Sequence, residues 1–363
     1  MISVIIVTYN SRDHIGHCLE SLKNSGQEIV LVDNASADGT SDWVRHAFPT
    51  VKLIAAPKNL GFAAAANLGA RHSSGTALLF LNPDVVCHGS LASLEQVLIN
   101  VPDVVALAPK LVDSEGRTQI GFNIRRLPTP AALIFEILLL NRLFPRNTVN
   151  RNYRCLDLNH DLPAEVEQPA GACLLVRRES FEGCGGFDEG FFPLWFEDVD
   201  LCLRLRRQGG KILFWPEICF QHAGGHSVES LTFSERQVYW YRNLLYYVQK
   251  HFPWKTGVMI RVALLCGAGL RVVAELPGLF TVWQDRSREP APTHRNVPES
   301  QSSSVAPTTA HLPRRAVSRN LPGTPAFTPA QLNALGSPAT APAPSERVRA
   351  YLKAAKLCFL GWK

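Results

Sequence analysis

The 363-residue chain carries 37 basic and 31 acidic side chains, with 46% hydrophobic and 19% charged residues. A chain of that length and composition buries a full core and divides into two or three domains, which excludes a disulfide-stapled mini-protein and a wholly disordered chain. The net charge of +6 suits anionic surfaces such as membranes, phosphates or nucleic acid without choosing among them.

The first 110 residues repeat one pattern. Short β-branched runs at Ser3–Val7, Glu28–Val32, Val51–Ala55, Ala77–Leu81 and Val104–Ala108 alternate with helical stretches. In the first helix, Ile15, Cys18, Leu19 and Leu22 follow the i, i+3, i+4, i+7 rule. Strands alternating with such helices predict βαβ units and a mainly parallel sheet with flanking helices. Ligands of such sheets bind beyond the C-terminal strand ends. That rim receives Thr8-Tyr9-Asn10, Asp33-Asn34 and Asn82-Pro83-Asp84, each directly after a strand.

Farther along, Arg125–Pro130 reads as a mobile loop and Ala131–Leu143 as an apolar helix. A second regular block from Gln168 to about Ser227 predicts a strand at Ala172–Val176, a helix at Asp198–Gln208, and strands at Lys211–Trp215 and Ile218–Gln221. Residues 233–252 form a helix rich in Tyr and Arg. Residues 257–283 are apolar but interrupted by Arg261, Arg271, Glu275 and Pro277, which suggests an interfacial or core helix pair. No uncharged apolar run of about 18 residues occurs, and the N-terminal MISVIIVTYN lacks the basic leader of a signal peptide.

Residues 286–346 hold 11 of the 25 prolines and one aromatic residue, Phe327, a composition that cannot bury a core and predicts a disordered linker. In the last 17 residues, Val348, Tyr351, Leu352, Ala355, Phe359 and Trp362 share a helical face, with Arg349, Lys353 and Lys356 roughly opposite. A basic amphipathic helix of this kind reads as a membrane-surface anchor or a partner-binding element. The nine cysteines are scattered and form no CxxC pair, so zinc-ribbon and thioredoxin-like signatures are absent and a reducing compartment is indicated.

Four segments carry chemistry. In VTYNS (7–11) and VDNASADGT (32–40), Asp33 at a strand end can accept the N3–H of a uracil or thymine base; alternatively Asp33 or Ser36 caps the helix starting near Asp38. In NLGFAAAANLGA (59–70), glycine and small residues let a helix N-terminus approach a phosphate, or simply pack tightly. In LLFLNPDVV (78–86), Asp84 suits a Mg²⁺ or Mn²⁺ ion bridging diphosphate oxygens, or belongs to a turn begun by Asn82-Pro83. In FFPLWFEDVDLCLRLRRQGG (191–210), Glu197, Asp198 and Asp200 cluster at a helix start behind Phe191, Phe192, Trp195 and Phe196. A helix dipole favours acids there, but a carboxylate beside apolar rings also works as a general base near neutral pH. His222, in the following CFQHAGG (219–225), is a metal ligand or a structural histidine.

Together VTYN, VDNAS.DGT, N.GFA.A.N.G, LNPD, GA.LL.RR, GGFDE.FF....ED.DLC.R and the late histidine resemble the family 2 inverting glycosyltransferases of the GT-A fold. The likeness is greatest to rhamnosyltransferase-type members acting on bacterial cell-envelope polysaccharide, and it covers about residues 1–250. The resemblance implies a GT-A catalytic domain over 1–250; composition and periodicity add an apolar, membrane-interfacial helical segment over 251–285, the linker over 286–346 and the terminal helix over 347–363. It implies that Thr8, Tyr9, Asn10 and Asp33 hold the nucleoside, that Asn59, Gly61, Asn67 and Asn82 line the donor site, and that Asp84 and His222 bind Mg²⁺ or Mn²⁺ with the diphosphate. Asp198 would be the general base with Glu197 in support, and Trp195, Phe196 and Asp200 would meet the acceptor. Asn82 replaces the first acid of the family's DxD motif and lowers the negative charge available to a metal. NPD at this place is similar to the branch favouring dTDP-L-rhamnose.

The implied reaction is sugar transfer from a nucleotide sugar to a glycan, polyprenyl-linked, on the inner face of the cytoplasmic membrane. Competing expectations are a UDP-sugar donor, a non-catalytic nucleotide-sugar-binding relative, and a nucleotidyltransferase releasing pyrophosphate. A nucleic-acid binder is disfavoured, because surplus charge lies partly in 286–346 and the terminal helix with no recognition motif beside it.

Overall fold

A computed structural model describes residues 1–224, 231–288 and 342–359. The elements follow the sequence rhythm. Strand β1 (Ile2–Thr8) is buried at every residue except half-buried Val7, as a central parallel strand covered on both faces must be. Helix α1 (Ile15–Leu22) buries Ile15, Cys18, Leu19 and Leu22, the residues its spacing selects. Then come β2 (Glu28–Asp33), α2 (Thr40–Ala47), β3 (Lys52–Ala55), α3 (Phe62–Arg71), β4 (Ala77–Leu81), β5 (Val85–Cys87), α4 (Leu91–Asn100) and β6 (Val104–Val112). The middle of the chain supplies β7 (Ile124–Arg125), α5 (Pro130–Ile137), α6 (Leu140–Leu143), α7 (Thr148–Tyr153), β8 (Ala164–Val166) and β9 (Gln168–Pro169). Then follow β10 (Cys173–Arg177), α8 (Arg178–Gly183), α9 (Glu197–Arg207), β11 (Lys211–His222), α10 (Phe233–His251), α11 (Trp254–Arg288) and α12 (Pro344–Lys356).

The main sheet runs β3-β2-β1-β4-β10-β6-β11-β5, with β8 also on β11. Its first four strands are parallel, the product of the βαβ repeat. Beyond them the sheet is mixed. Strand β10 enters antiparallel between β4 and β6, and β5 lies antiparallel on the end of β11. Two registers matter for the site. Thr8 pairs with Asp33, and Val85 pairs with His222. Ile2, Val4 and Ile6 feed the core on one sheet face, and Ile5 feeds the other.

Four local expectations change. The 211–221 region is one strand, not two; Pro216 cannot donate to the ladder and the register shifts between Trp215 and Cys219. The Ala131–Leu143 helix breaks at Leu139, whose φ is 59°. Ile124–Arg125, expected in or beside a mobile loop, pairs with Gln168–Pro169. The expected helix pair over 257–283 is one continuous helix, α11, because Arg261 and Arg271 interrupt the apolar run without interrupting the backbone hydrogen bonding. By length and composition its Trp254–Leu276 part is apolar enough to cross a membrane, and a third of that stretch is buried against the protein.

A third core joins α5, α10, α11 and α12 to Phe196 and Val199. Gly267 of α11 packs so closely on α5 that a Cβ there would meet the Ile137 carbonyl oxygen at 2.8 Å. The terminal helix α12 docks here through Ala350, Ala354 and Leu357, while Leu352 and Phe359 are 51% and 77% exposed. Its inward face is therefore rotated from the one read in sequence, because small alanines allow close helix approach where the larger side chains do not. Arg347 pairs with Glu275 at 2.8 Å, and the Tyr351 ring meets Phe233 edge-on. Most of the 286–346 linker (289–341) and Trp362 lie outside the described residues.

Candidate functional site

The rim after β1 and β2 is built around one carboxylate. Asp33 Oδ1 accepts from Thr8 Oγ1 at 2.9 Å and from Ser36 Oγ at 2.5 Å, and Oδ2 accepts the Ser36 N–H at 3.2 Å. Asp33 thus holds its own loop, and the start of α2 is served by Asp38, which accepts the Thr40 N–H. Asn10 takes a left-handed φ of 52° and accepts the Ala37 N–H through Oδ1. Tyr9 stands 37% exposed beside this loop. Thr8, Tyr9, Asn10 and Asp33 are therefore together on one rim.

Asn34, a residue the sequence reading gave no role, joins this rim to the next segment. Its amide donates to Asn59 Oδ1 at 2.9 Å, and its own Oδ1 accepts the Leu60 N–H at 2.7 Å. Gly61 follows with φ of 80°; a Cβ there would lie 2.8 Å from the Phe192 ring. The Phe62 N–H then donates to Pro193 O at 2.7 Å. Asn59 and Gly61 thereby couple the Asp33 rim to the aromatic loop before α9.

On the other side, the β5–β11 pairing puts Asp84 beside His222. His222 Nε2 lies 3.6 Å from Asp84 Oδ2, with both side chains buried. Asp84 Oδ2 also accepts the Gly224 N–H at 3.1 Å, whereas buried Oδ1 has no hydrogen-bond partner among the described residues. Burial pushes the His222 ring below its usual value, against the opposing pull of Asp84, and so favours the neutral form that can ligate a metal. Gln119 binds His222 at both ends, as acceptor near Nδ1 at 3.0 Å and as donor to the His222 carbonyl at 2.9 Å. Phe122 stacks on the ring. An unpartnered buried carboxylate oxygen and a neutral imidazole suit a divalent cation that takes its other ligands from phosphate and water. Among the described residues no three His, Cys, Asp or Glu side chains gather into a complete protein cage. Asn82 meets this site through its backbone, its N–H donating to Ala172 O at 2.9 Å.

The third wall is the start of α9. Trp195 and Phe196 both adopt left-handed backbone, with φ of 79° and 74°, a strained pair immediately before the two acids. Asn243 of α10 clamps this bend by donating to the Leu194 and Trp195 carbonyls at 2.8 and 3.3 Å. Asp198 Oδ2 accepts the Gly171 N–H at 2.9 Å and faces Gln168 Nε2 at 3.3 Å; Oδ1 accepts the Val199 N–H. Burial raises the Asp198 carboxyl, opposed by those two backbone N–H groups and by the charge of Arg125. Burial, and then the charge of Asp198, push Glu197 well above the carboxylate range, and its Oε2 is buried without a partner. Of these two neighbouring carboxyls, Glu197 is the more strongly pushed toward its neutral form.

Three expectations for acceptor or donor contacts fail for identifiable reasons. Phe196 is buried in the third core, with ring centroids 5.6 Å from Tyr247 and 5.9 Å from Trp240, so it cannot stack on a sugar. Asp200 is fully buried, ion-paired to Arg204 and Lys250 at 2.7 and 2.8 Å and hydrogen-bonded to the His251 ring at 2.6 Å; burial alone would raise it, but these partners hold it at about 2. Asn67 turns into the protein, donating to Phe187 O and Glu189 Oε1 and accepting the Phe187 N–H. Half-buried Trp195 packs at the margin of the same core.

Gly171, Gln168, Gln119, Asn34 and Asn243 escaped individual assignment. Gly171 was visible as the first residue of GA.LL.RR, but its role needs the fold. Asn34 was visible as a strand-end residue of VDNAS, and the other three had no spacing signal, because their partners are remote in sequence or backbone atoms.

The family model for glycosyl transferase family 2 matches residues 3–184. Among curated relatives, the N-acetylglucosaminyl-diphospho-decaprenol L-rhamnosyltransferase of Mycobacterium tuberculosis is 30% identical over 273 residues, covering 70% of this chain and 86% of its own. The rhamnosyltransferase WbbL of Escherichia coli is 24% identical over 242 residues, covering 63% of this chain and 86% of its own. A more distant likeness is to the structure of a mannosyltransferase from Pyrobaculum calidifontis with GDP-mannose and Mn²⁺, 18% identical, TM-score 0.46, covering 79% of each chain.

Proposed function

The chain belongs to glycosyl transferase family 2, and on that premise we propose that it moves L-rhamnose from dTDP-L-rhamnose to a hydroxyl of a polyprenyl-diphosphate-linked glycan, with inversion. The observation that carries the reading is Asp198: one raised, ionisable carboxylate held by Gly171 at the sheet end, coupled through its loop to the Asp33 rim. The donor and acceptor classes are supported by the likeness to two rhamnosyltransferases, one named for a lipid-linked N-acetylglucosaminyl acceptor.

The chemistry follows from the residues. Asp198 takes the proton of the acceptor hydroxyl as that oxygen attacks the anomeric carbon from the face opposite the diphosphate. A single displacement needs only this one base, and inverts the centre. Thr8, Tyr9, Asn10 and Asp33 bind the nucleoside. Asn59 and Gly61 fix the loop between nucleoside and base. Asp84 and His222 would hold Mg²⁺ or Mn²⁺, which when bound neutralises charge developing on the leaving diphosphate. Neutral Glu197 keeps a second negative charge away from the base.

The acceptor's lipid anchor fits the outer face of α11. Trp254, Val258, Met259, Val262, Leu270 and Val273 are 49% to 75% exposed, while Ile260, Ala263, Leu264 and Ala268 face the protein. An exposed apolar stripe of this length marks an interaction surface, and we assign it to the cytoplasmic leaflet of the membrane.

The test is a panel of dTDP-, UDP- and GDP-sugars with Mg²⁺ or Mn²⁺, followed by thermal shift and nucleoside diphosphate release. Selective response to dTDP-rhamnose, lost in Asp33→Ala and Asp84→Ala, is expected. Selective response to a UDP-sugar would overturn the donor, and binding without release in the presence of acceptor would favour a non-catalytic relative.

A further inference from the structure

We propose that Gln119 is a positioning residue that fixes the Nδ1–H tautomer of His222 and so presents a bare Nε2 lone pair toward Asp84. The inference rests on the reading of Asp84 and His222 as the metal ligands.

The orientation of the Gln119 amide is set by the backbone. Gln119 Nε2 lies 2.9 Å from the His222 carbonyl, which can only accept. Reversing the amide would bring two oxygens together, so the NH₂ group faces the carbonyl and Oε1 faces the ring. Oε1 is 3.0 Å from Nδ1 and can only accept, so Nδ1 carries the proton. In a neutral ring Nε2 is then unprotonated, and it points at Asp84 Oδ2 from 3.6 Å. Two acceptors facing each other across that gap leave a position that a cation satisfies.

Without Gln119 the preference would reverse. The Asp84 carboxylate by itself favours a proton on Nε2, which would block ligation. Gln119 opposes this from 103 residues away in the chain. It is delivered by the turn after β6, where Asp113 Oδ1 accepts the Glu115 and Arg117 N–H groups and the Gln119 N–H returns to Leu111 O at 2.9 Å. Phe122, three residues on, stacks on the imidazole with ring centroids 5.1 Å apart and planes 17° apart, fixing the ring plane. Outer partners of metal-bound histidines commonly set tautomer and orientation in this way.

The experiment uses the full chain. Side-chain ¹⁵N histidine NMR of metal-free protein reads the His222 tautomer, assigned with His222→Ala, and Mn²⁺ binding is titrated by electron paramagnetic resonance. Wild type is expected to show Nδ1–H. Gln119→Leu should shift His222 toward Nε2–H and weaken Mn²⁺ binding by about 10-fold to 100-fold. Gln119→Glu, which keeps an acceptor at Nδ1 but no donor to the carbonyl, should restore the tautomer; a merely structural latch would not be rescued this way. An Nε2–H tautomer in wild type, or unchanged tautomer and Mn²⁺ affinity in Gln119→Leu, overturns the positioning role. Mn²⁺ binding that is absent, or unaffected by Asp84→Ala and His222→Ala, overturns the metal reading and the ligand role with it, while the metal-free spectrum still reports what Gln119 does to the ring.

Discussion

The Gly171 N–H donates to Asp198 Oδ2 at 2.9 Å, and a Cβ on Gly171 would lie 3.0 Å from Asp198 Cβ. Asp198 and the strand-leading segment 168–172 are therefore in contact at a place where only hydrogen fits without displacement. The next residue, Ala172, accepts the Asn82 N–H, so one short segment links Asp198 to the Asp84 loop.

Gly171→Ala tests this contact. The added methyl pushes Asp198 from its position while leaving the nucleoside rim untouched. We expect kcat to fall on the order of 10-fold to 100-fold, the scale of a small misplacement of a reacting group, with nucleoside diphosphate affinity by calorimetry unchanged. Equal loss of both would point to general unfolding instead.

Asp198 sets the acid side of the pH profile. Its carboxyl lies above the ordinary range because burial outweighs the Gly171 and Val199 N–H groups and the charge of Arg125. A base must be ionised, so kcat/KM falls as pH drops through that raised value. Arg125→Ala removes a charge that favours the ionised form, raises the carboxyl further and moves the acid limb to higher pH; Arg125→Lys leaves it near its original place. An unmoved limb in Arg125→Ala would remove Arg125 from the site. Asp198→Asn should cost roughly 10²-fold to 10⁴-fold in kcat.

Asp200 should behave as a stability residue. Asp200→Asn takes the carboxylate from Arg204 and His251 and leaves Lys250 with Asp188 alone, and losing one partner of a buried pair costs about 3 kcal/mol. Thermal or denaturant unfolding should reveal it, with acceptor KM of the folded fraction unaltered. The native carboxyl at about 2 lies below that of an unfolded aspartate, about 3.9. Its stabilisation is therefore full well above the unfolded value and disappears as pH falls toward 2. A raised acceptor KM without destabilisation would return Asp200 to the binding site.

The α11 stripe predicts membrane binding that polar substitution removes. Val262→Glu with Leu270→Glu should abolish co-flotation with anionic vesicles, because the bilayer interface rejects two buried charges. Nucleoside diphosphate release with a water-soluble acceptor analogue should persist. Flotation equal to wild type would assign the stripe to another partner.

Local pattern made the sheet, the helices and the rim legible in sequence. Alternating β-branched runs and helical spacing determine β1 to β4, α1 and the strand-end location of Thr8, Asp33 and Asp84, because backbone periodicity and burial act over a few residues. The acids at 197, 198 and 200 were likewise visible as a cluster, but their roles were not. Three positions along a helix start point in different directions, so Asp198 meets Gly171, Asp200 pairs with Lys250 and accepts from the His251 ring, and Glu197 Oε2 is buried without a partner among the described residues. The same holds for Phe196, whose aromatic character suits a sugar or a core equally until α10 covers it. Gln119 and Asn243 carry no local signal, since each acts across 103 and 49 residues on a ring nitrogen or a backbone carbonyl. What kind of residue stands on the rim is settled by short-range periodicity; which of those residues keeps a free functional group is settled by long-range hydrogen bonding and burial, which exist only once the sheet and the helical core have closed.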